Sequence, residues 1–209
     1  MKLNSLDELI SENTDSYFKR SKNVITHNKD VEVTYAIFMR RPVVFCPRIA
    51  VDWLKKTASY RNTKFSIELC HKEGAWVGAG EPLMLLSGQL SHLIDLETLY
   101  LQLLGPSCVA AYNAYSMCSD LPNTSFLAMD SRHCAGVEMH KLMAYGASVG
   151  SDKAKKEKGA IGFIGSANDS TASFFGKKFG IGTMPHAFIG YAGSTLNAAK
   201  MYNNYFPNE

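Results

Sequence analysis

Three groups of side chains between Leu127 and Thr195 have types that could do chemistry. The first, Asp130-Ser131-Arg132-His133, follows the apolar run Phe126 to Met129. A guanidinium at a strand exit suits a phosphate or carboxylate, which it grips through parallel N–H bonds. The competing reading pairs Arg132 with Asp130 or makes it a helix cap. The second group, Gly165-Ser166-Ala167-Asn168-Asp169-Ser170-Thr171, follows the apolar run Ala160 to Ile164. It is a small, hydroxyl-rich loop opening a helix near Thr171, and its backbone N–H groups would cradle an anion. Any capped helix needs similar residues. The third group, Gly182-Thr183-Met184-Pro185-His186, follows Phe179 to Ile181. A histidine there would serve as a base, a ligand or a nucleophile, or would be structural. A lone histidine is more often structural; three strand exits converging on one rim raise the odds of the chemical readings.

Other chemistries lack support. His133 and His140 would share a helical face if the helix began at His133, and Cys134 stands beside them, but no second ligand pair exists for zinc. No metal-ligating residues are assigned. There is no Ser-His-Asp order, no P-loop and no dinucleotide fingerprint; Gly162-Phe163-Ile164-Gly165 and Gly180-Ile181-Gly182 are glycine pairs without the remainder of one.

The elements that must position these groups follow from hydrophobic period. Each apolar run is too short for a helix and ends in small polar residues, as buried parallel strands do when loops at their C-terminal ends carry chemistry. The segments between are crossover helices, with Lys153 to Lys158 read as a solvated turn. Upstream, a brief helix is expected at Leu6 to Ile10. Thr14-Asp15 then caps a helix carrying Tyr17, Phe18 and Val24, with Tyr17 and its aromatic neighbours in the core by default. A strand over residues 31 to 41, a helix from Arg48 to Tyr60 and strands at Phe65 to Cys70, Ala75 to Val77 and Pro82 to Ser87 come next. From Leu93 to Ser119 the pattern is helical, interrupted by Gly105-Pro106. Asp120-Leu121-Pro122-Asn123 marks a boundary. The fold class is α/β, with an N-terminal α+β domain over residues 1–121 and β/α units over residues 122–209. About three units are written, too few to close a barrel of roughly eight strands, which suggests an open sheet or an incomplete fold.

Composition narrows the function classes. In 209 residues, 46% hydrophobic and 20% charged content is ordinary for a soluble globular protein, and a net charge of +3 is too mild for a nucleic-acid binder. Five cysteines without a CxxC pair read as reduced, mostly buried thiols. No apolar run reaches membrane-span length and the N-terminus is no signal peptide, so a soluble cytoplasmic protein without membrane or nucleic-acid partners is expected.

With these residues in view, the sequence resembles the nicotinate phosphoribosyltransferases. Thr14-Asp15-Ser16-Tyr17-Phe18 is similar to that family's N-terminal TD-x-Y motif. Glu73-Gly74 through Gly80-Glu81-Pro82-Leu83 resembles its glycine-punctuated β segment. Asp130-Ser131-Arg132-His133-Cys134-Ala135-Gly136 resembles its arginine-bearing strand exit. Gly182-Thr183-Met184-Pro185-His186-Ala187 resembles its GT-x-x-H motif, the most specific of the set. The resemblance implies an N-terminal α/β domain before an irregular α/β barrel of the type II phosphoribosyltransferase kind, and a homodimer whose active sites use both subunits. It implies transfer of phosphoribose from phosphoribosyl pyrophosphate (PRPP) to nicotinate in NAD salvage, with ATP hydrolysis coupled through a phosphorylated His186. By the same resemblance Arg132, with His133 beside it, contacts substrate phosphate. Tyr17 stacks on the pyridine ring from the partner subunit, and Ser170, Thr171 and Thr183 lie near substrate. Mg²⁺ is expected from the family, with no ligands identifiable in this chain. Two departures stand out: the family often has two arginines where this chain has Arg132-His133, and its barrel continues past the position of Glu209. The latter suggests a truncated, non-catalytic half or pseudoenzyme that needs a partner chain to complete the barrel. A third reading is a quinolinate phosphoribosyltransferase, which needs neither the histidine nor ATP.

Overall fold

A capping box opens the first helix. Ser5 Oγ accepts from the Glu8 N–H at 3.2 Å while the Glu8 carboxylate accepts from the Ser5 N–H at 2.8 Å, so α1 (Leu6–Asn13) starts with two of its orphan donors satisfied. The computed structural model describes residues 5–182 and 184–207. α2 (Ser16–Thr26) buries none of its residues. The expected core placement of Tyr17 is therefore not found: its side chain is 60% exposed.

Alternating β-branched and aromatic residues form β1 (Glu32–Phe38). After the short β2 (Val43–Val44) comes α3 (Arg48–Arg61), which buries Ala50, Val51, Leu54 and Thr57 and ends at Asn62 in the left-handed region, φ 49°. Then follow β3 (Phe65–Leu69), β4 (Trp76–Val77) and β5 (Pro82–Gln89). β5 is the centre of an antiparallel sheet ordered β1-β5-β3, and β2 pairs with β4. Register aligns Tyr35 with Leu86 and Ile67, and Ile37 with Met84 and Leu69, so one face of the sheet is apolar and packs on the helices. α4 (Leu90–Leu93) leads into Asp95, which is nearly buried and takes Lys22 at 2.8 Å and Arg61 at 3.0 Å. Arg61 also holds Asp7 at 2.6 Å. Charges from α1, α2 and α3 thus meet at one point.

α5 (Glu97–Asp120) is a single 24-residue helix. The expected break at Gly105-Pro106 does not occur. A proline inside a helix removes one backbone donor and costs about 3 kcal/mol, but Tyr100, Leu104, Cys108 and Ala111 of this helix are all buried, and that packing outweighs the penalty. Ser107 Oγ also donates to the Leu103 carbonyl at 3.1 Å.

β6 (Ser125–Ala128) passes through a 3-10 turn (Asp130–His133) into α6 (Val137–Lys158) and returns as β7 (Gly162–Ser166), parallel to β6. This is the expected β-loop-α crossover, with three differences. Lys153 to Lys158 form the end of α6 rather than a turn. β7 runs on through Gly165 and Ser166. Phe179 to Ile181 is not a strand; Ile181 makes one ladder-like bond, its N–H to the Ser166 carbonyl at 2.7 Å. After β7 come α7 (Asp169–Ala172), a 3-10 turn (Ser173–Phe175), α8 (His186–Ala192) and α9 (Thr195–Tyr205).

α6 lies directly on α5. A Cβ at Gly146 would stand 2.4 Å from the Ser107 carbonyl oxygen, and one at Gly150 only 2.0 Å from that of Ala111. Four residues apart, these glycines share a helix face, so backbone meets backbone. Buried side chains gather into two clusters, a large one spanning the sheet and α3–α5, and a smaller one around Ala114, Cys118, Ala128, Ala154 and Phe163. Cys46, Cys108 and Cys118 are buried, and all five cysteines are free thiols.

Gly150→Ala is expected to destabilise the chain by at least about 2 kcal/mol in urea unfolding, since a carbonyl cannot yield as a flexible side chain can. Gly190→Ala, in α8 where a Cβ meets nothing within 4 Å, should instead be neutral or stabilising by up to about 1 kcal/mol.

Candidate functional site

Arg132 and His186, 54 positions apart in sequence, line one cleft of about 500 Å³ together with Met129, Ala167, Gly182 and Met184. Arg132 is presented by the 3-10 turn at the end of β6, is exposed, and makes no ion pair with a described side chain. His186 is the first residue of α8, directly after Pro185, and is likewise exposed. A fixed cation and an open imidazole thus face a common solvent-filled space, which suits an anionic ligand that the guanidinium can bind in two-point fashion.

The loop after β7 reaches the cleft through Ala167. Ser166 and Thr171 are buried, at 0% and 1% exposure, and their hydroxyl oxygens lie 2.6 Å apart. Ser166 Oγ accepts from the Asn168 N–H at 3.2 Å, and Thr171 Oγ1 donates to the Asn168 carbonyl at 3.4 Å. The Ala167 N–H binds the Ala128 carbonyl at 2.9 Å, tying this loop to the exit of β6. On the other side, the Gly180 N–H donates to Asp169 Oδ1 at 2.7 Å. A Cβ on Gly180 would meet the Ala167–Asn168 peptide at 2.9 Å. Only glycine lets the segment leading to His186 lie this close.

The expected residues are therefore only partly brought together. Arg132 and His186 meet in the cleft. His133 stands in the same turn as Arg132 but outside the cleft lining. Because α6 begins at Val137, His133 and His140 do not share a helix face, so the condition for that pairing fails. Ser170 is exposed on α7, whereas the Thr171 hydroxyl is spent inside the loop and faces no solvent. Thr183 lies outside the described residues. Tyr17 is exposed in the first turn of α2 and donates to Asp15 at 3.2 Å; desolvation, then the Asp15 charge, raises its hydroxyl pKa. It belongs to the N-terminal unit and is absent from the cleft lining.

Sequence reasoning missed the tether made by Asp169 and Gly180, and the role of Met129 and Met184 as walls. The glycines at 165 and 180 were the available signal, read from sequence only as pairs without the rest of a nucleotide motif; the structure shows them where a Cβ would meet Ile181 and the Ala167–Asn168 peptide. Among the described residues the cleft offers no carboxylate to magnesium, which demands oxygen ligands. Among the described residues no three His, Cys, Asp or Glu side chains gather as a metal site, and no helix is long and apolar enough to cross a membrane.

Residues 15–108 match the family described as quinolinate phosphoribosyl transferase, N-terminal domain. No curated protein sequence matches the chain. Among solved structures, nicotinate-nucleotide pyrophosphorylase from Pyrococcus furiosus superposes with a TM-score of 0.73 at 20% identity, over 97% of this chain and 49% of that one. Human nicotinic acid phosphoribosyltransferase gives 0.66 at 20% identity, over 87% and 41%. The nicotinate-nucleotide pyrophosphorylase of Ehrlichia chaffeensis gives 0.64 at 18% identity, over 100% and 68%. The chain spans about half the length of the first of these. The fold is thus α/β, an N-terminal α+β domain followed by the first β/α units of an irregular barrel of the type II phosphoribosyltransferase kind.

Arg132→Ala should weaken binding of inorganic pyrophosphate to the purified chain by roughly 10- to 100-fold, the scale of a lost charge-assisted contact. His133→Ala should change it by less than about threefold. Titration calorimetry at fixed low salt reads both, since exposed charges are screened as ionic strength rises.

Proposed function

We propose that this chain serves nicotinate phosphoribosyl transfer coupled to ATP. The ring nitrogen of nicotinate attacks C1 of PRPP, the bond from C1 to pyrophosphate breaks, and nicotinate mononucleotide forms. The nitrogen lone pair is free from the start, so no proton need be removed. The protein's tasks are to hold the leaving pyrophosphate and to steady a cation-like ribosyl centre. Arg132 answers the first task. In the ATP step, an imidazole nitrogen of His186 takes the terminal phosphoryl group and ADP leaves; water later releases phosphate. A phosphoryl group adds up to about two negative charges, enough to alter how a neighbouring guanidinium holds pyrophosphate.

The observation that carries this reading is the meeting of Arg132 and His186 on one cleft. Magnesium would enter with the phosphates of PRPP or ATP. The chain would work as a homodimer, with Tyr17 of one subunit stacking on the pyridine ring at its partner's site. Its exposure in the first turn of α2 is compatible with that role.

A second reading is favoured by the match of residues 15–108 to the quinolinate phosphoribosyl transferase domain: quinolinate as acceptor, carbon dioxide released, and no use for ATP or for His186.

The purified chain is incubated with PRPP and Mg²⁺, with nicotinate or quinolinate, with and without ATP, and mononucleotide is followed by chromatography. Nicotinate is expected to be consumed, faster with ATP, and His186→Ala to abolish the ATP effect. Turnover of quinolinate alone, indifferent to ATP, would select the second reading. A folded chain inert with both acids would overturn both readings.

A further inference from the structure

His140 is buried, at 6% exposure, with its Nε2 3.5 Å from Thr171 Oγ1. It sits in the first turn of α6, the helix that starts just after the turn carrying Arg132. Across from it is the loop after β7, which supports the segment leading to His186. It therefore stands between the two halves of the cleft without lining it.

One assignment of the hydrogen bonds in this spot satisfies every group. Thr171 spends its proton on the Asn168 carbonyl, leaving two lone pairs on Oγ1. Ser166, whose oxygen already accepts from the Asn168 N–H, donates into one of them across 2.6 Å. The second lone pair is open to an Nε2–H from His140. With that donor every member of the chain is satisfied; without it, a buried hydroxyl in the loop loses a partner. The consequence reaches the cleft, because Ala167 lines it and Ser166 receives the Ile181 N–H at 2.7 Å.

We infer that His140 is a positioning residue for the anion-binding cleft, donating from Nε2 to Thr171 and so fixing the loop after β7 against the arms that carry Arg132 and His186. This rests on the reading of the cleft as a pyrophosphate site. His140→Leu fills a similar volume without a donor. His140→Gln keeps an N–H at comparable reach.

The test titrates inorganic pyrophosphate into the full chain by calorimetry, well below the melting temperature of each variant. His140→Leu should bind roughly tenfold more weakly, the scale of one lost hydrogen bond, and His140→Gln should return to within about threefold of the parent. Equal melting temperatures for the two variants would show that the rescue is not a stability effect. Parent-like binding by His140→Leu, or no rescue by His140→Gln, overturns the inference alone. Failure of the parent chain to bind pyrophosphate overturns the anion-site reading and the inference with it. Independently of any variant's folding, nitrogen-15 spectra of the parent should show His140 protonated at Nε2, with that resonance moving on pyrophosphate addition. An unprotonated Nε2 contradicts the assignment.

Discussion

The backbone-to-backbone contact between α5 and α6 is what the other parts of this chain depend on. Gly146 and Gly150 leave no room for a Cβ against the Ser107 and Ala111 carbonyl oxygens, so the two longest helices approach as closely as their main chains permit. Small residues continue the seam, with Ala111 and Ala114 buried on α5. Beside it, Tyr145 is fully buried; its hydroxyl donates to Glu73 and accepts the Arg48 N–H at 3.0 Å. The Arg48 guanidinium lies over the same ring, 4.7 Å from its centre. One tyrosine of α6 thereby touches the start of α3 and the turn before β4. Desolvation, then nearby Cys46 and Glu73, raises its pKa, so it stays a neutral donor at any working pH. The N-terminal unit and the β/α unit are held by this helix pair rather than by a shared sheet.

From that seam the candidate site follows by short steps. α6 begins where the Arg132 turn ends, so fixing the helix fixes the arginine. The β6–β7 pair has only two strands, too few to be stiff alone. Rigidity comes instead from bonds at the strand exits, where Ala167 binds Ala128, Ile181 binds Ser166 and Gly180 binds Asp169. These bonds stack the three loops in sequence, and the last one leads to His186. A site on loops can be well placed when each loop is bonded to the one before it.

Much of this was legible in the sequence. Short apolar runs followed by small polar residues marked β6 and β7, and the period-3.6 pattern between them marked α6. The meeting of Arg132 and His186 was expected from placing both at strand exits; Arg132 does follow β6, but His186 is brought in by a bonded loop and not by a strand. Other features were hidden for physical reasons. Pro106 reads as a helix stop, and only the burial of Leu104, Cys108 and Ala111 around it shows why the helix continues. Tyr17 and its aromatic neighbour read as core, yet α2 buries none of its residues. Phe179 to Ile181 has strand composition, but the glycine at 180 serves a close approach to Ala167 instead of a ladder. Thr171 looked like a phosphate ligand because hydroxyl loops cradle anions; its own burial turns that hydroxyl inward. His140 looked like a weak zinc ligand, because a histidine's partner across 31 residues cannot be read from spacing.

What makes the cleft more than an anion pocket is the claim that His186 accepts a phosphoryl group beside Arg132. The direct measurement is to incubate the chain with ATP labelled in its terminal phosphate and count label retained on the protein after quenching in base and in acid. The account predicts label that survives base, is lost in acid, and disappears in His186→Ala. Absence of label on the parent chain, or label that persists in His186→Ala, would contradict it.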